Sequence, residues 1–411
     1  MPIKRSMYLP YLMWLFPVLF FTYQFILRLW PGLMMQSLMA QFSIDATGFG
    51  VLAAFYYYGY AGMQIPVAIW LDQFGPRKIL GLLALFCGFA MLLFSYTNNF
   101  YLALLSRFLI GACSAAGFLS VSKVISLWFK PERYAGMIGI SFSVGLLGAI
   151  YGGKPVSLLI ASYGWHPIAL GLSLMAILIG CFSFLVLRSP QEKTEAAKTK
   201  SRVSFKKLLS SKTIWLLAIS NLLMVGSLEG FADVWGIPYL MTAYQLPKSE
   251  AALLVSSIFI GMIFGGPFLA LIAKKLGNYR VISLSGVAIA IIFTLLLTNL
   301  VQQWWLLTIL LFFIGILCCY QVLVFAAGSS LVAPEYLGIT IAFLNCINML
   351  GGSFFHTLIG KLMDLLWTGE LSNGLKSYDI NTYKYALSVI PVSALIGAII
   401  VHFIGMTLKN R

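Results

Sequence analysis

The segment from Tyr56 to Leu80 restricts the fold most strongly, because an apolar helix runs into a short charged turn and the chain then becomes apolar again. The turn reads Asp72-Gln73-Phe74-Gly75-Pro76-Arg77-Lys78. Gly75 and Pro76 favour a tight reversal, and the positive-inside rule places the two basic residues on the cytoplasmic side. Asp72 is expected to pair with them or with a neighbouring helix end. The segment therefore predicts a membrane hairpin with a basic cytoplasmic corner.

The same apolar character extends over the whole chain. Hydrophobic residues make up 60% of the 411 residues and charged residues only 9%, whereas soluble domains are about 25% charged. One crossing of the bilayer takes about 20 apolar residues, so we expect a polytopic membrane protein. The first apolar segment is too long for a signal peptide and lacks a small-residue cleavage site, so we expect it to remain as a membrane span.

Hydropathy predicts twelve membrane spans, which gives an all-α membrane protein. Their approximate bounds are Tyr8 to Leu33, Gly48 to Leu71, Ile79 to Tyr96, Tyr101 to Phe129, Ala135 to Ile160, Pro167 to Leu187, Ile214 to Tyr239, Ala251 to Ala273, Val281 to Leu300, Trp304 to Val332, Gly338 to Leu366 and Tyr385 to Met406. Lys and Arg concentrate in alternate loops, and the opposite loops contain only Lys248, Lys376 and Lys384. Both termini are therefore predicted to be cytoplasmic. The net charge of +15 is explained by this topology and by contact with anionic lipid, and not by nucleic-acid binding.

One hydrophilic segment divides the chain into two halves. Residues 188–212 form a predicted cytoplasmic linker that ends in a surface-lying amphipathic turn, between six-helix bundles at residues 1–187 and 213–411. The halves repeat, because the turn around Gly75 corresponds to the one around Gly277, and Pro131-Glu132 corresponds to Pro334-Glu335. Such repeats predict a substrate site between the halves near mid-membrane.

Several motifs resemble the major facilitator superfamily. The Asp72 turn resembles its loop between spans two and three, with Ala68 and Gln73 as departures, and Arg107-x-x-x-Gly111 resembles its span-four signature. Two further segments match: Gly164-Trp165-His166, and Trp235-Gly236-Ile237-Pro238-Tyr239-Leu240. The resemblance implies a pseudo-symmetric transporter with alternating access.

The exporter signature of span five is only half present, in Gly148-x-x-x-Gly152-Gly153, which favours an importer. The segments from Phe21 to Arg28 and from Phe42 to Ala46, together with the Tyr56 segment, resemble the phagosomal nutrient transporters (Pht family) of intracellular bacteria. That resemblance implies uptake of amino acids or nucleosides across a bacterial inner membrane.

Six ionisable side chains lie inside predicted spans, where each needs a partner or a wet cavity. They are Arg28, Arg107, Lys154, Glu229, Asp233 and His356, and all six are predicted at mid-depth or in the outer half, where one cluster could contain them. Glu229 and Asp233 are one turn apart, so the pair should bind a proton more readily than an isolated acid.

Each of these residues also has a purely structural interpretation. Arg28 either binds the substrate carboxylate or forms a fixed ion pair, and Arg107 either contacts substrate or pairs within the first half. Lys154 either binds substrate or extends along its stem to the interface. Glu229 and Asp233 either couple protons or permanently neutralise the arginines, and His356 either carries a proton or packs in the core.

Uncharged polar and aromatic residues complete the predicted substrate site: Gln24, Tyr56, Tyr60, Gln64, Tyr320, Gln321, Asn345 and Asn348. Aromatic residues at helical spacing are equally consistent with core packing. A gating role is predicted for the cytoplasmic turn through Asp72, Gly75, Arg77 and Lys78, whereas Lys123, Lys361 and Asp364 are interpreted as interface anchors. Gly145, Gly148 and Gly152 are typical of close helix packing.

The predicted function is proton-coupled uptake of a small polar nutrient by a monomer. The sequence contains no nucleotide-binding loop, metal-ligand spacing or catalytic triad, so no enzyme activity, cofactor or metal is expected, and the predicted partners are substrate, protons and lipid. One alternative is import of an organic anion such as a polycarboxylate siderophore or an organic phosphate. Another is a transporter-like receptor.

Overall fold

The computed structural model describes residues 8–188, 210–333, 336–372 and 374–409. Nearly all of these residues are helical. Before the first gap, the helices are α1 (Leu9–Leu33), α2 (Met35–Phe42), α3 (Ala46–Tyr96), α4 (Phe100–Ser114), α5 (Ala116–Trp128), α6 (Pro131–Gly152), α7 (Lys154–Tyr163) and α8 (Trp165–Val186). Most of the predicted linker at residues 188–212 lies outside the described residues, as do Pro334 and Glu335.

After the gap, α9 (Lys212–Met224) continues through a 3-10 turn (Val225–Ser227) and a π-helix (Leu228–Trp235) into α10 (Gly236–Tyr244). The remaining elements are α11 (Lys248–Leu276), α12 (Asn278–Thr298), α13 (Trp304–Cys318), α14 (Tyr320–Ser329), α15 (Leu337–Leu365), the hairpin strands β1 (Leu371–Ser372) and β2 (Leu375–Lys376), α16 (Ile380–Leu387) and α17 (Val389–Lys409). The strands pair antiparallel.

Within the described residues, eleven helical stretches are long and apolar enough to cross a membrane. The longest, α3, contains 51 residues and is interrupted at Gly75, whose φ is 80°, a left-handed conformation that glycine adopts without a Cβ clash. The rings of Phe42 and Phe94 are 6.1 Å apart, so the end of α3 returns to the level of its beginning. The predicted hairpin is therefore present, with its turn at Gly75.

Backbone geometry repeats in the two parts of the chain. Gly277 has a φ of 84° and joins α11 to α12, as Gly75 with its φ of 80° divides α3. Close helix contacts repeat as well, because Gly111 packs against the carbonyl oxygen of Tyr56 and Gly315 packs against that of Ile258. These matched contacts support the internal duplication that the sequence predicts.

The helices bury polar groups inside and expose large apolar side chains outside, among them Phe86, Phe89, Leu271, Ile291 and Phe403. Such a surface suits lipid and not water. Helix α6 packs against α1 through the glycines predicted for close contact, with Gly148 against the carbonyl oxygen of Thr22 and Gly145 against the Phe21 ring.

The predicted spans agree with the helices to within a few residues at most ends, but their interiors differ. Hydropathy misses the breaks at Ala115, Gly153 and Cys319 and the 3-10 and π-helical turns between α9 and α10. It also misses α2 and the β1–β2 hairpin, because both are too short or too polar to register as spans.

Candidate functional site

Arg28 is the centre of a buried ion cluster. Its side chain is only 10% exposed, and its Nε and Nη2 atoms each lie 2.8 Å from Oδ2 of Asp233. Nη2 also donates to Oε2 of Glu229 at 2.8 Å. Both carboxylate side chains are at most 1% exposed, so this is a charged group of three residues removed from solvent. We refer to it as the triad.

Local helix geometry brings both acids to the same arginine. Glu229 and Asp233 lie in the π-helix Leu228–Trp235, whose wider turn keeps residues four apart on one side. Gly32, one residue after Pro31 in α1, packs against the backbone of Val234. This close approach of α1 lets the Arg28 side chain reach both acids.

Tyr57 of α3 is a second partner of Asp233, in addition to Arg28. Its hydroxyl donates to Oδ2 of Asp233, and the Arg28 guanidinium lies 5.5 Å from its ring centroid. Oδ1 of Asp233 is buried without a hydrogen-bond partner among the described residues. The triad and Tyr57 therefore connect α1 and α3 with the π-helix after the gap, and one carboxylate oxygen keeps a free lone pair.

Arg107 has a different environment. Nη1 donates to the carbonyl oxygen of Leu27 at 2.9 Å, and that carbonyl lacks its helical partner because Pro31 has no N–H group. The guanidinium also lies 5.1 Å from the Tyr56 ring centroid. In the described structure Arg107 has no carboxylate partner, and its Nε has no hydrogen-bond partner. It thus anchors the Pro31 region of α1 while its charge stays uncompensated.

His356 is fully buried in α15, and neither ring nitrogen has a hydrogen-bond partner among the described residues. Its ring centroid is 5.3 Å from that of Tyr57. The histidine therefore contacts the tyrosine that binds Asp233, at a place where α3 and α15 pack together.

The uncharged candidates are distributed around this centre. Tyr56 and Tyr60 stack at 6.1 Å on the α1 and α4 side of α3, and the amide of Gln24 packs against Gly117. The amide nitrogen of Asn348 donates to Gln321 at 3.3 Å, and the Tyr320 hydroxyl donates to the carbonyl oxygen of Asn221 at 3.2 Å. Gln64 is buried and Asn345 is half-buried.

Lys154 does not join the triad. Its Nζ lies 2.7 Å from Oε1 of Glu250, and both side chains are about one-third exposed. The predicted common cluster of six ionisable residues is therefore wrong for Lys154. Its acidic partner, Glu250, was not predicted. Glu250 precedes the apolar part of its helix, and only ionisable residues inside predicted spans were considered as partners.

A second polar cluster closes the end of the molecule opposite the Gly75 turn. Asp364 of α15 accepts hydrogen bonds from the Thr47 backbone N–H at 2.7 Å and from the Tyr378 hydroxyl at 2.6 Å. Lys376 pairs with Asp364 at 2.9 Å and with Asp45 at 3.2 Å. We call this end, defined by Asp45, Asp364 and Lys376, the latch face. Asp364 thus connects α15 with α3 and with the β1–β2 hairpin, and its interpretation as an interface anchor stays a prediction.

Charge on the latch is maintained through neutral pH. Burial of Lys376 opposes its charge, but the hydrogen bonds to Asp364 and Asp45 outweigh that cost and raise its pKa. A raised lysine pKa means that the stabilising charge is present below its ordinary pKa and is lost only as the pH rises further. On the alkaline side, the latch should therefore weaken only when the pH rises above the ordinary pKa of lysine.

The Gly75 turn also contains unexpected partners. Asp72 pairs with Lys123 of α5 at 2.7 Å, and Nε of Arg77 donates to the carbonyl oxygen of Phe184 at 2.7 Å. Of the two partners expected for Asp72, the structure shows the neighbouring helix, through Lys123 in the second half of α5, and not Arg77 or Lys78. The turn packs onto α5 and α8, both of which precede the gap.

A family model decides the identity of this fold. The model of the Major Facilitator Superfamily matches residues 15–356 and, in a second match, residues 234–408. The chain belongs to the major facilitator superfamily. It is therefore a multi-pass membrane transporter and not an enzyme, and the loop and span-four motifs quoted above are parts of a superfamily sequence.

Individual relatives of this transporter are distant. The Uncharacterized transporter YybO of Bacillus subtilis (strain 168) is 23% identical over 371 residues, covering 83% of this chain and 82% of YybO. The Probable sulfoacetate transporter SauU of Cupriavidus necator is 22% identical over 263 residues, covering 58% of this chain and 60% of SauU. A crystal structure of a bacterial homolog to human lysosomal transporter Spinster, in an inward-facing and occupied conformation, has a TM-score of 0.79 at 18% identity and covers 99% of both chains. The solved structure therefore shows that the two chains share a fold.

The latch of this transporter gives a direct prediction. Asp364→Asn removes the charge that holds Thr47, Tyr378 and Lys376, so we expect the closed latch face to lose about 1–3 kcal/mol of stability. This is roughly a 5- to 150-fold fall in the ratio of closed to open molecules. The measurement is the maleimide labelling rate of Ala54→Cys in a variant without the six native cysteines. Ala54 is buried where its carbonyl oxygen accepts from Ser353.

The control for this prediction is Asp379→Asn. Asp379 accepts from the Thr382 backbone N–H at the start of α16, and the hydroxyl and backbone of Thr382 lower its pKa. Among the described residues it forms no hydrogen bond or ion pair with α3, so its loss should leave the labelling rate unchanged. Equal labelling of both variants would show that Asp364 does not hold the latch face closed.

Proposed function

We propose that this transporter is a proton-coupled importer of a small polar nutrient, of amino acid or nucleoside size, working by alternating access. The observation that supports this most is the triad. It places one cation and two acids, buried, between the two parts of the chain that must move against each other.

Charge balance explains why the triad suits a proton. Within the triad, two carboxylates and one guanidinium leave one surplus negative charge, and Arg107 forms no ion pair with either acid because it binds the carbonyl oxygen of Leu27. An uncompensated charge in a buried site is costly. A proton on either acid neutralises the surplus. The pair then binds the proton as a unit and not as two independent residues, with Tyr57 and His356 next to it. Substrate would bind nearby, using groups such as Gln24, Tyr60, Gln321 and Asn348.

We further propose twelve spans in two six-helix halves, residues 1–187 and 213–411, joined by a linker at 188–212, with both termini cytoplasmic. Dividing α3 at Gly75 supports the count. Gly405, near the C-terminus, packs against Tyr279 just after the Gly277 turn, so that terminus is on the side of the turns. The latch face would then be the outer face of a bacterial inner membrane, closed in this structure, and the transporter would act as a monomer.

An organic anion is the second candidate cargo. Arg107 is buried without a carboxylate partner among the described residues, so a substrate carboxylate or sulfonate would compensate it once the site opens. The name of SauU, a probable sulfoacetate transporter, supports the same class. A zwitterion and a dianion would both place an acidic group on Arg107. Only the dianion would then leave a net negative charge beside the triad.

The experiment combines a binding screen with transport. A thermal-shift panel of amino acids, nucleosides and organic acids identifies a ligand, and proteoliposomes then measure its uptake with and without an imposed pH gradient. We expect uptake to increase as external pH falls. Accumulation that depends on no proton gradient would contradict proton coupling, and comparing a zwitterion with a polycarboxylate in the same vesicles separates the two cargoes.

The Gly75 turn is proposed to gate the cytoplasmic side. Asp72→Asn should slow transport with little change in substrate affinity, because the turn is far from the triad. The pair with Lys123 is largely exposed, 67% for Asp72, so the free energy of unfolding should change by less than about 1 kcal/mol. Lys274→Ala, in the corresponding turn, should be mild. Unchanged transport by Asp72→Asn, or an equal loss in Lys274→Ala, would refute this role.

A further inference from the structure

A cavity of about 440 Å³ lies at the latch face, and none of the three triad residues lines it. Its wall includes Gly32, which packs against the backbone of Asp233 and Val234 and so separates the cavity from the triad. Its walls come from both parts of the chain: the end of α1 and α2 on one side, and α10, α11 and the β1–β2 hairpin on the other. The volume is in the range of small-molecule sites. The cavity is therefore large enough for a ligand and is divided between elements that alternating access would separate.

The charge in this cavity is one-sided. Among the described residues, Lys248 and Lys376 line it and no carboxylate residue does. Lys376 forms ion pairs with Asp45 and Asp364. Lys248 has no ion-pair or hydrogen-bond partner among the described residues, and the acid nearest to it in sequence, Glu250, is occupied by Lys154. One cation at the cavity wall is thus left without a counter-charge.

The rest of the lining suits an amphipathic molecule. Met35, Met39 and Met241 line the cavity, and their flexible thioether side chains adapt to different apolar shapes. Gln36 and Ser377 add hydrogen-bonding groups to the same walls. A ligand with an acidic group and a flat or branched apolar body would satisfy both kinds of surface, whereas a bare inorganic ion would leave the methionines uncovered.

We propose that this cavity binds a small organic anion, with its acidic group on Lys248 and its apolar body against the methionines. Because both sides of the cavity contact the ligand only while the latch face is closed, binding stabilises the closed arrangement by its differential affinity for the two states. The site would regulate transport from the latch face, through residues other than the triad and Arg107. It requires neither proton coupling nor a particular cargo, so it can fail or succeed independently of the proposed function.

Calorimetry with benzoate and its neutral analogue benzamide tests the site in purified protein in neutral detergent. Benzoate should bind the wild type and benzamide should not. Lys248→Gln should weaken benzoate binding at least tenfold, whereas the exposed Lys361→Gln, on α15 and outside the cavity lining, should bind as the wild type does. Undetectable benzoate binding to the wild type, equal binding of benzamide, or full affinity in Lys248→Gln would overturn the proposal.

Hydrogen exchange then reports the conformational effect. Benzoate should slow exchange in the first turn of α3, where the Thr47 N–H donates to Asp364, and should do so in the wild type but not in Lys248→Gln. Unchanged exchange at saturating benzoate would overturn the coupling to the latch.

Measurements in nanodiscs distinguish a soluble anion from an anionic lipid headgroup as the natural ligand of this cavity. If adding phosphatidylglycerol to phosphatidylcholine lowers benzoate affinity only when Lys248 is present, an anionic lipid headgroup occupies the site. Unchanged affinity assigns the site to a soluble anion.

Discussion

Replacing Arg28 by alanine is expected to lower the free energy of unfolding by about 3–5 kcal/mol, because two buried carboxylates then lose their counter-charge. Both acids are at most 1% exposed, and each lies 2.8 Å from Nη2 of Arg28. Transport should be lost as well, since α1 would no longer be held to the π-helix. The measurement is unfolding in mixed micelles, with the exposed Arg280→Ala as the control that should have little effect.

A triple variant distinguishes this explanation from simple loss of packing. Adding Glu229→Gln and Asp233→Asn to Arg28→Ala removes the uncompensated charges, so most of the lost free energy should return. If the triple variant is no more stable than Arg28→Ala alone, the cost comes from the cavity left by the side chain, and the electrostatic account of the triad is wrong.

The meeting of Arg28 with Glu229 and Asp233 could be anticipated from the sequence, because a charge inside an apolar span must find a partner and spans one and seven are the symmetry mates of a six-plus-six repeat. The sequence could not decide whether Arg28 waits for a substrate carboxylate or holds an ion pair. In this structure its guanidinium binds both acids, which favours the fixed pair in this conformation and leaves its role during transport a prediction.

Tyr57 was missed although its signal was present. Periodicity directed attention to Tyr56, Tyr60 and Gln64, which recur every four residues. A second stripe, formed by Gly50, Ala54 and Ala61 with Tyr57, follows the same helix, and contacts with α15 occur at each of these residues. Small residues flanking one aromatic indicate a close helix contact, so the face of α3 toward α15 could have been recognised.

Other features could not be predicted from periodicity. The π-helix changes the hydrogen-bond register within an apolar segment, and hydropathy does not respond to register. The latch depends on Tyr378 and Lys376, in a polar loop whose conformation is determined by contacts with Asp364 and α3. Span boundaries, in contrast, were predicted well, because the thickness of the bilayer sets the length of an apolar helix whatever its internal hydrogen-bond register.

Glu229→Gln and Asp233→Asn are each expected to abolish pH-driven accumulation while preserving exchange of substrate across the membrane. Either amide imitates a protonated acid. One carboxylate is then paired with Arg28, and the triad no longer has a surplus negative charge. Transport should therefore no longer require a proton. A neutral amide still forms hydrogen bonds, so alternating access can continue. Glu370→Gln, in an exposed loop position, should behave as the wild type.

Counterflow beside gradient-driven uptake measures these two properties in the same vesicles. A proton that crosses with the substrate links accumulation to the pH difference, so a variant that cannot bind that proton equilibrates substrate and then stops. Tyr57→Phe provides a graded test, since it removes only the hydrogen bond to Asp233 and should shift the pH dependence without abolishing accumulation. If both carboxamide variants still accumulate substrate against a gradient, the acids serve only as partners of Arg28, and the proton must bind elsewhere, with the unpartnered ring of His356 as the next group to replace.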